Sequence, residues 1–157
     1  MPLEDDDTVA VELKNLDYAQ IAAFDQEAAD GEALLFYENS QIENAVVYRN
    51  KLSGRIGNFF ENYDVRIELH GKEITNSCTC SSERKICLHA IALLYGWIND
   101  ADDFMNLSHV LADIEKIAKS QLMDIVTNIL QRQPHMAALF LARKKLDWDE
   151  IDIDSFT

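Results

Sequence analysis

The chain has 157 residues, a hydrophobic fraction of 48% and a formal net charge of −14, which favours one compact domain with a small helical annex. Between Val46 and His89 seven cations meet five anions, so the middle is mildly basic and the flanks are acidic. The whole is therefore a poor non-specific binder of nucleic acid, whose affinity comes mainly from Lys and Arg on phosphate. No window reaches the roughly 18 apolar residues of a membrane span, and the opening MPLEDDDTVAVEL lacks the basic and apolar regions of a secretory signal; the expected compartment is the cytosol, or the nucleus in a eukaryote.

Residues 1–15 read as an acidic, solvated segment, with TVAVEL as an edge strand. From Tyr18 to Ala29, YAQIAAFDQEAA is rich in helix formers, with Asp17 as cap and Gly31 beyond the end. A strand-rich region is expected over roughly 33–77. Ala45-Val46-Val47-Tyr48 is β-branched and aromatic, while Ser53-Gly54 and Gly57-Asn58 are turn signals. In YDVRIELHGKEITNS, Tyr63, Val65, Ile67 and Leu69 alternate with Asp64, Arg66, Glu68 and His70. That period of two predicts a half-buried antiparallel hairpin turning near His70-Gly71. The aromatic residues Tyr48, Phe59, Phe60 and Tyr63 are expected in the core.

After Cys87 the period changes. LHAIALLYGWI is apolar all round, as a buried helix would be. A second helix starts at Asn106 or Ser108. A third is capped by Ser120 and turns Leu122, Ile125, Val126 and Ile129 inward. A short fourth begins near Pro134. In the acidic tail, Trp148, Ile151, Ile153 and Phe156 form a candidate partner-binding peptide. The expected architecture is α+β, with an N-terminal helix and a small antiparallel sheet that ends in a strand–loop–helix clamped at 78–89, followed by a helical region. Its segments are 1–15, 16–98, 99–145 and the tail 146–157.

All three cysteines, Cys78, Cys80 and Cys87, lie with His89 in one short stretch, SCTCSSERKICLHAIA. Three thiols cannot pair off, and a Cys78–Cys80 bridge would close a strained ring. Three thiolates and an imidazole are instead a donor set for Zn2+; an iron–sulfur cluster usually takes four cysteines. Cys78 and Cys80, two apart at a strand end, face one way. Cys87 and His89 cannot share a face of one regular helix, so Cys87 should precede the helix and His89 lie in its first turn. Four protein ligands leave no open position for water, which points to structural rather than catalytic zinc.

These residues resemble the SWIM zinc finger, whose pattern is CxC, a variable gap, then CxHxxA, matched at Cys78, Cys80, Cys87, His89 and Ala92. The lead-in YDVRIELHGKEITNSC is similar to the hairpin before the ligands in that family. The six residues between Cys80 and Cys87 sit at the short end of the family's range of gaps, and beyond Gly96 the similarity is loose. The resemblance implies a module for binding protein or DNA. In that family such modules accompany helicase-like ATPases, Mutator-type transposases and Shu-complex proteins that assist recombinases.

The sequence carries no phosphate-cradling G-x-x-x-x-G-K loop, no G-x-S-x-G, no H-E-x-x-H and no deaminase HxE…PCxxC pattern, so neither catalysis nor a small-molecule substrate is expected. His70, His109 and His135 read as surface histidines. Two binding readings stand. One is an adaptor for a protein partner in a DNA-handling complex, which the acidity favours. The other is direct nucleic-acid contact through Arg49, Lys51, Arg66, Arg84 and Lys85, if they form one basic stripe; interleaved anions count against it.

Overall fold

A computed structural model describes residues 6–141. The acidic tail, with Trp148, Ile151, Ile153 and Phe156, lies outside the described residues, as does the Glu4-Asp5 part of the opening charge run. The chain divides into two compact units between Leu111 and Ala112.

The first unit is built on a five-stranded sheet in the order β4-β3-β2-β1-β5. Its strands are β1 (Gln41–Tyr48), β2 (Lys51–Gly57), β3 (Asn62–His70), β4 (Glu73–Cys78) and the short β5 (Met105–Asn106). The first four pair antiparallel, as the alternation predicts. β5 adds parallel to β1, so the sheet is mixed. Val65, Ile67 and Leu69 face inward and are buried, whereas Asp64, Arg66 and His70 point out.

Four helices of this unit are α1 (Val11–Lys14), α2 (Tyr18–Ala29), α3 (Glu32–Glu38) and α4 (Leu88–Asn99). α4 is the centre of the core: every residue from His89 to Trp97 is buried. One side packs on α2 and α3 and the other on β2, β3 and β4. This two-sided burial is why its sequence shows no polar stripe. Each fully buried Leu or Ile here contributes about 1.5–3 kcal/mol relative to an exposed one.

Several expectations are corrected. TVAVEL is not an edge strand: it bends and forms α1. Val9 and Leu13, four apart, are buried, while Val11 is 63% exposed; strand alternation would have put all three on one side. Residues 33–38 belong to α3 rather than to a strand. Its start is stabilised from a distance by the buried carboxylate of Asp25 on α2, which accepts from Ala33 N–H at 2.9 Å, Leu34 N–H at 3.1 Å and the Tyr95 hydroxyl at 3.0 Å. A cap eight residues upstream leaves no local signature. Ser53-Gly54 is not a turn but the middle of β2, where a Cβ on Gly54 would sit 3.3 Å from Leu93 of α4. The β1–β2 reversal falls at Arg49-Asn50, with Arg49 at φ 57°.

Other expectations hold. Asp17 caps α2, where Gln20 completes a reciprocal capping box that the sequence reading did not include, and the β3–β4 hairpin turns after His70.

α5 (Leu107–Glu115) begins beside Asn106, whose side chain accepts from Ser108 N–H at 3.0 Å. In the second unit, α6 (Lys119–Arg132) has Ala118, not Ser120, at its cap position, so Ser120 lies inside the helix. A 3-10 turn at Pro134–Ala137 leads to α7 (Ala138–Leu141). The expected inner face of α6 is only partly sheltered: Leu122 and Val126 are half-buried, but Ile125 and Ile129 are exposed. No described residue from 112 to 141 is buried.

Asp25→Ala should lower stability by about 3 kcal/mol, because it strands three buried donors. Urea unfolding of the variant beside the parent measures this; a loss below about 1 kcal/mol would remove the cap from the account of α3.

Candidate metal centre

β4 pairs with β3 down to Val65 opposite Cys78. The chain then leaves the sheet through Thr79, whose N–H donates to Asp64 O at 3.2 Å and whose hydroxyl accepts from Asp64 N–H at 3.0 Å. This tie fixes the direction of the Cys78–Cys80 knuckle. Cys80 N–H donates to Cys78 Sγ at 3.4 Å. The loop returns with Lys85 O accepting from the Asn76 amide at 3.4 Å, and the Arg84 guanidinium donates to Ala28 O in the last turn of α2. That cation lies where helical carbonyls are unpaired.

Cys87 then takes an extended conformation at the cap position of α4, and His89 is the second residue of the helix. This matches the placement that spacing required. Ala92, three residues on, is fully buried.

The donor atoms of Cys78, Cys80, Cys87 and His89 all lie within 4.8 Å of one another, with Cys78 Sγ 3.7 Å from His89 Nδ1. A tetrahedral Zn2+ with Zn–S near 2.3 Å spaces its sulfurs by about 3.8 Å. The cluster therefore fits that ion in donor type, donor number and spacing. Cys87 and His89 are buried, and Cys78 and Cys80 half-buried.

The imidazole is held on two sides. Tyr63 stacks on it at 3.8 Å between centroids and 20° between planes. Phe36 meets it edge-on at 4.9 Å. Burial lowers the pKa of His89 and so favours the neutral ring that a metal ligand must be. Burial also pushes the Cys78 thiol up to about 12 and raises that of Cys87. At Cys80 burial works the same way, but hydrogen bonding from the Ser82 backbone and the neighbouring thiols outweighs it and lowers the pKa. Loading the cluster with metal must therefore release protons.

The candidate nucleic-acid residues do not form one stripe. Lys51, Arg55 and Arg66 share the outer face of the sheet, where Lys51 sits opposite Glu68 and Arg66 lies between Ser53 and Ser77. Arg55 is paired with Asp64 at 2.9 Å. Arg49 lies over the Tyr48 ring at the β1–β2 turn. Arg84 is turned to α2, and Lys85 borders an open groove of about 640 Å3 with Phe24, Ile74 and Ile86. Of the four aromatics expected in the core, Tyr63 alone packs against it: Tyr48 is half-buried outside it, and Phe59 is 94% and Phe60 89% exposed. The two phenylalanines occupy a loop, where period-two reasoning has no force. Of the surface histidines, His70 meets Glu68 at 3.3 Å and His109 meets Asp6 at 3.0 Å.

The SWIM zinc finger family model matches residues 63–95, the stretch from the ring on His89 to the middle of α4. Among curated proteins, and among solved structures, nothing matches. A Cys3His cluster inside a SWIM match supports Zn2+ as the cofactor. Among the described residues no helix is long and apolar enough to cross a membrane.

Tyr63→Ala should weaken metal affinity about 10- to 100-fold, since it removes the ring that orients His89. Competition against a chromophoric zinc chelator reads this directly; unchanged affinity would leave Tyr63 no part in the site.

Proposed function

We propose that Cys78, Cys80, Cys87 and His89 hold one structural Zn2+, and that the chain is a non-catalytic SWIM-type adaptor. The convergence of all three cysteines on a buried, ring-packed histidine carries this reading. Zn2+ bound there would contribute its binding free energy to folding, with no open coordination position for a reaction. The four side chains join the end of β4 to the start of α4, and with them the sheet edge to the core helix.

The partner we infer is a protein within a recombination, remodelling or transposition-related complex: a helicase-like ATPase, a recombinase or a transposase. The place of work is the cytosol, or the nucleus in a eukaryote. Two observations favour protein over direct nucleic-acid contact. The net charge is −14, and the cations of the middle segment are divided between the outer sheet face, a turn and the carbonyl end of α2. Binding to bare phosphate would need those cations free and aligned.

Elemental analysis should give about one zinc per chain, and EDTA should lower the melting temperature; Cys87→Ser should lose the metal and unfold the finger. Zinc-free protein that melts unchanged would end the proposal.

Salt titration separates the binding readings. On the adaptor reading, a DNA oligonucleotide shows no measurable binding at moderate salt. Affinity that falls steeply with log salt, and drops further in the Arg84→Glu/Lys85→Glu double variant, would establish direct nucleic-acid contact instead.

A further inference from the structure

The turn between β2 and β3 carries two adjacent phenylalanines with almost nothing against them. Their rings meet each other edge-on at 5.5 Å and 84°. A pair of aromatics this exposed is a costly way to end a hairpin unless something covers it. The turn is also stiff. Asn58 N–H donates to Glu61 O at 2.8 Å, and the Asn58 side chain accepts from Phe60 N–H at 2.8 Å and Glu61 N–H at 3.0 Å. Gly57 permits the tight closure: a Cβ there would lie 2.0 Å from Glu61 O. Glu61 in turn accepts from the Tyr63 hydroxyl at 3.1 Å, and Tyr63 stacks on His89. The tip is thus braced from the metal cluster by one side chain.

We propose that Phe59 and Phe60 form a preorganised knob that inserts into an apolar pocket, rimmed by Lys or Arg, on a partner protein. Rigid aromatic anchors lose little conformational entropy on docking and commonly dominate interface energy. The basic rim follows from local charge: the carboxylate of Glu61 borders the knob, and Arg55 of β2 is already paired with Asp64. The same charge argues against an anionic membrane or a nucleic-acid strand as the occupant. This deepens the adaptor reading and rests on it for the class of partner. It does not rest on the metal, because both rings are remote from solvent-shielded packing and their removal should leave zinc content and melting unchanged.

The test uses the full chain with Phe59→p-benzoylphenylalanine, expressed in its own host and irradiated. The expected result is an adduct with one protein, mapped to residues that line an apolar pocket flanked by Lys or Arg. The Phe59→Ala/Phe60→Ala double variant, loaded with zinc, should then bind that purified protein roughly 30-fold more weakly. Absence of a protein adduct from zinc-loaded chain, adducts scattered over many proteins, or undiminished binding by the double variant would overturn the knob while leaving the zinc module standing. Binding of a 30-nucleotide single strand or of phosphatidylglycerol vesicles that the double variant loses would also overturn it, by naming a different occupant. Zinc-free, EDTA-insensitive protein would instead sink the module reading.

Discussion

Four donor atoms separated by eleven positions of chain must reach one point, and the geometry of the first unit serves that requirement. Cys78 ends β4, and Cys80 follows it in a knuckle that Thr79 ties to Asp64. Two come from the entry of α4, where an extended cap residue and the first helical turn bring Cys87 and His89 together although a regular helix would separate them. Neither end can be moved freely. β4 is registered against β3 up to Cys78, and α4 is buried along nearly its whole length.

The surroundings of the cluster tune it as well as place it. Burial disfavours the charged form of the imidazole and of the Cys78 and Cys87 thiols alike. Aromatic rings from α3 and β3 fix the plane of His89. α3 itself stands on the carboxylate of Asp25, which also accepts from Tyr95 of α4. A single acid on α2 thus connects the helix that touches the histidine to the helix that carries it.

Charge divides the molecule between tasks. Cations near the finger are used internally: Arg55 against Asp64, Arg84 on the end of α2, Arg49 over Tyr48. Lys51 and Arg66 stay on the outer sheet face among Glu68, Ser53 and Ser77, while Phe59 and Phe60 project from the β2–β3 loop. An acidic body with an apolar tip suits protein docking better than phosphate binding.

Legible from local pattern were the gathering of Cys78, Cys80, Cys87 and His89, the antiparallel hairpin from Tyr63 to Cys78, the Asp17 cap on α2 and the buried helix after Cys87. Each of these rests on local spacing: two residues per strand repeat, three to four per helical turn, and the fixed valence of thiolate and imidazole. The tertiary structure alone decided the rest. α3 depends on a cap eight residues upstream. Leu13 is buried in α1, where its carbonyl accepts from the Trp97 indole at 3.0 Å across the fold. Gly54 reads as a turn until α4 is laid across it. The cations look like a stripe in one dimension and are dispersed in three, because which face or carbonyl a long side chain meets is set by contacts between residues far apart in the chain.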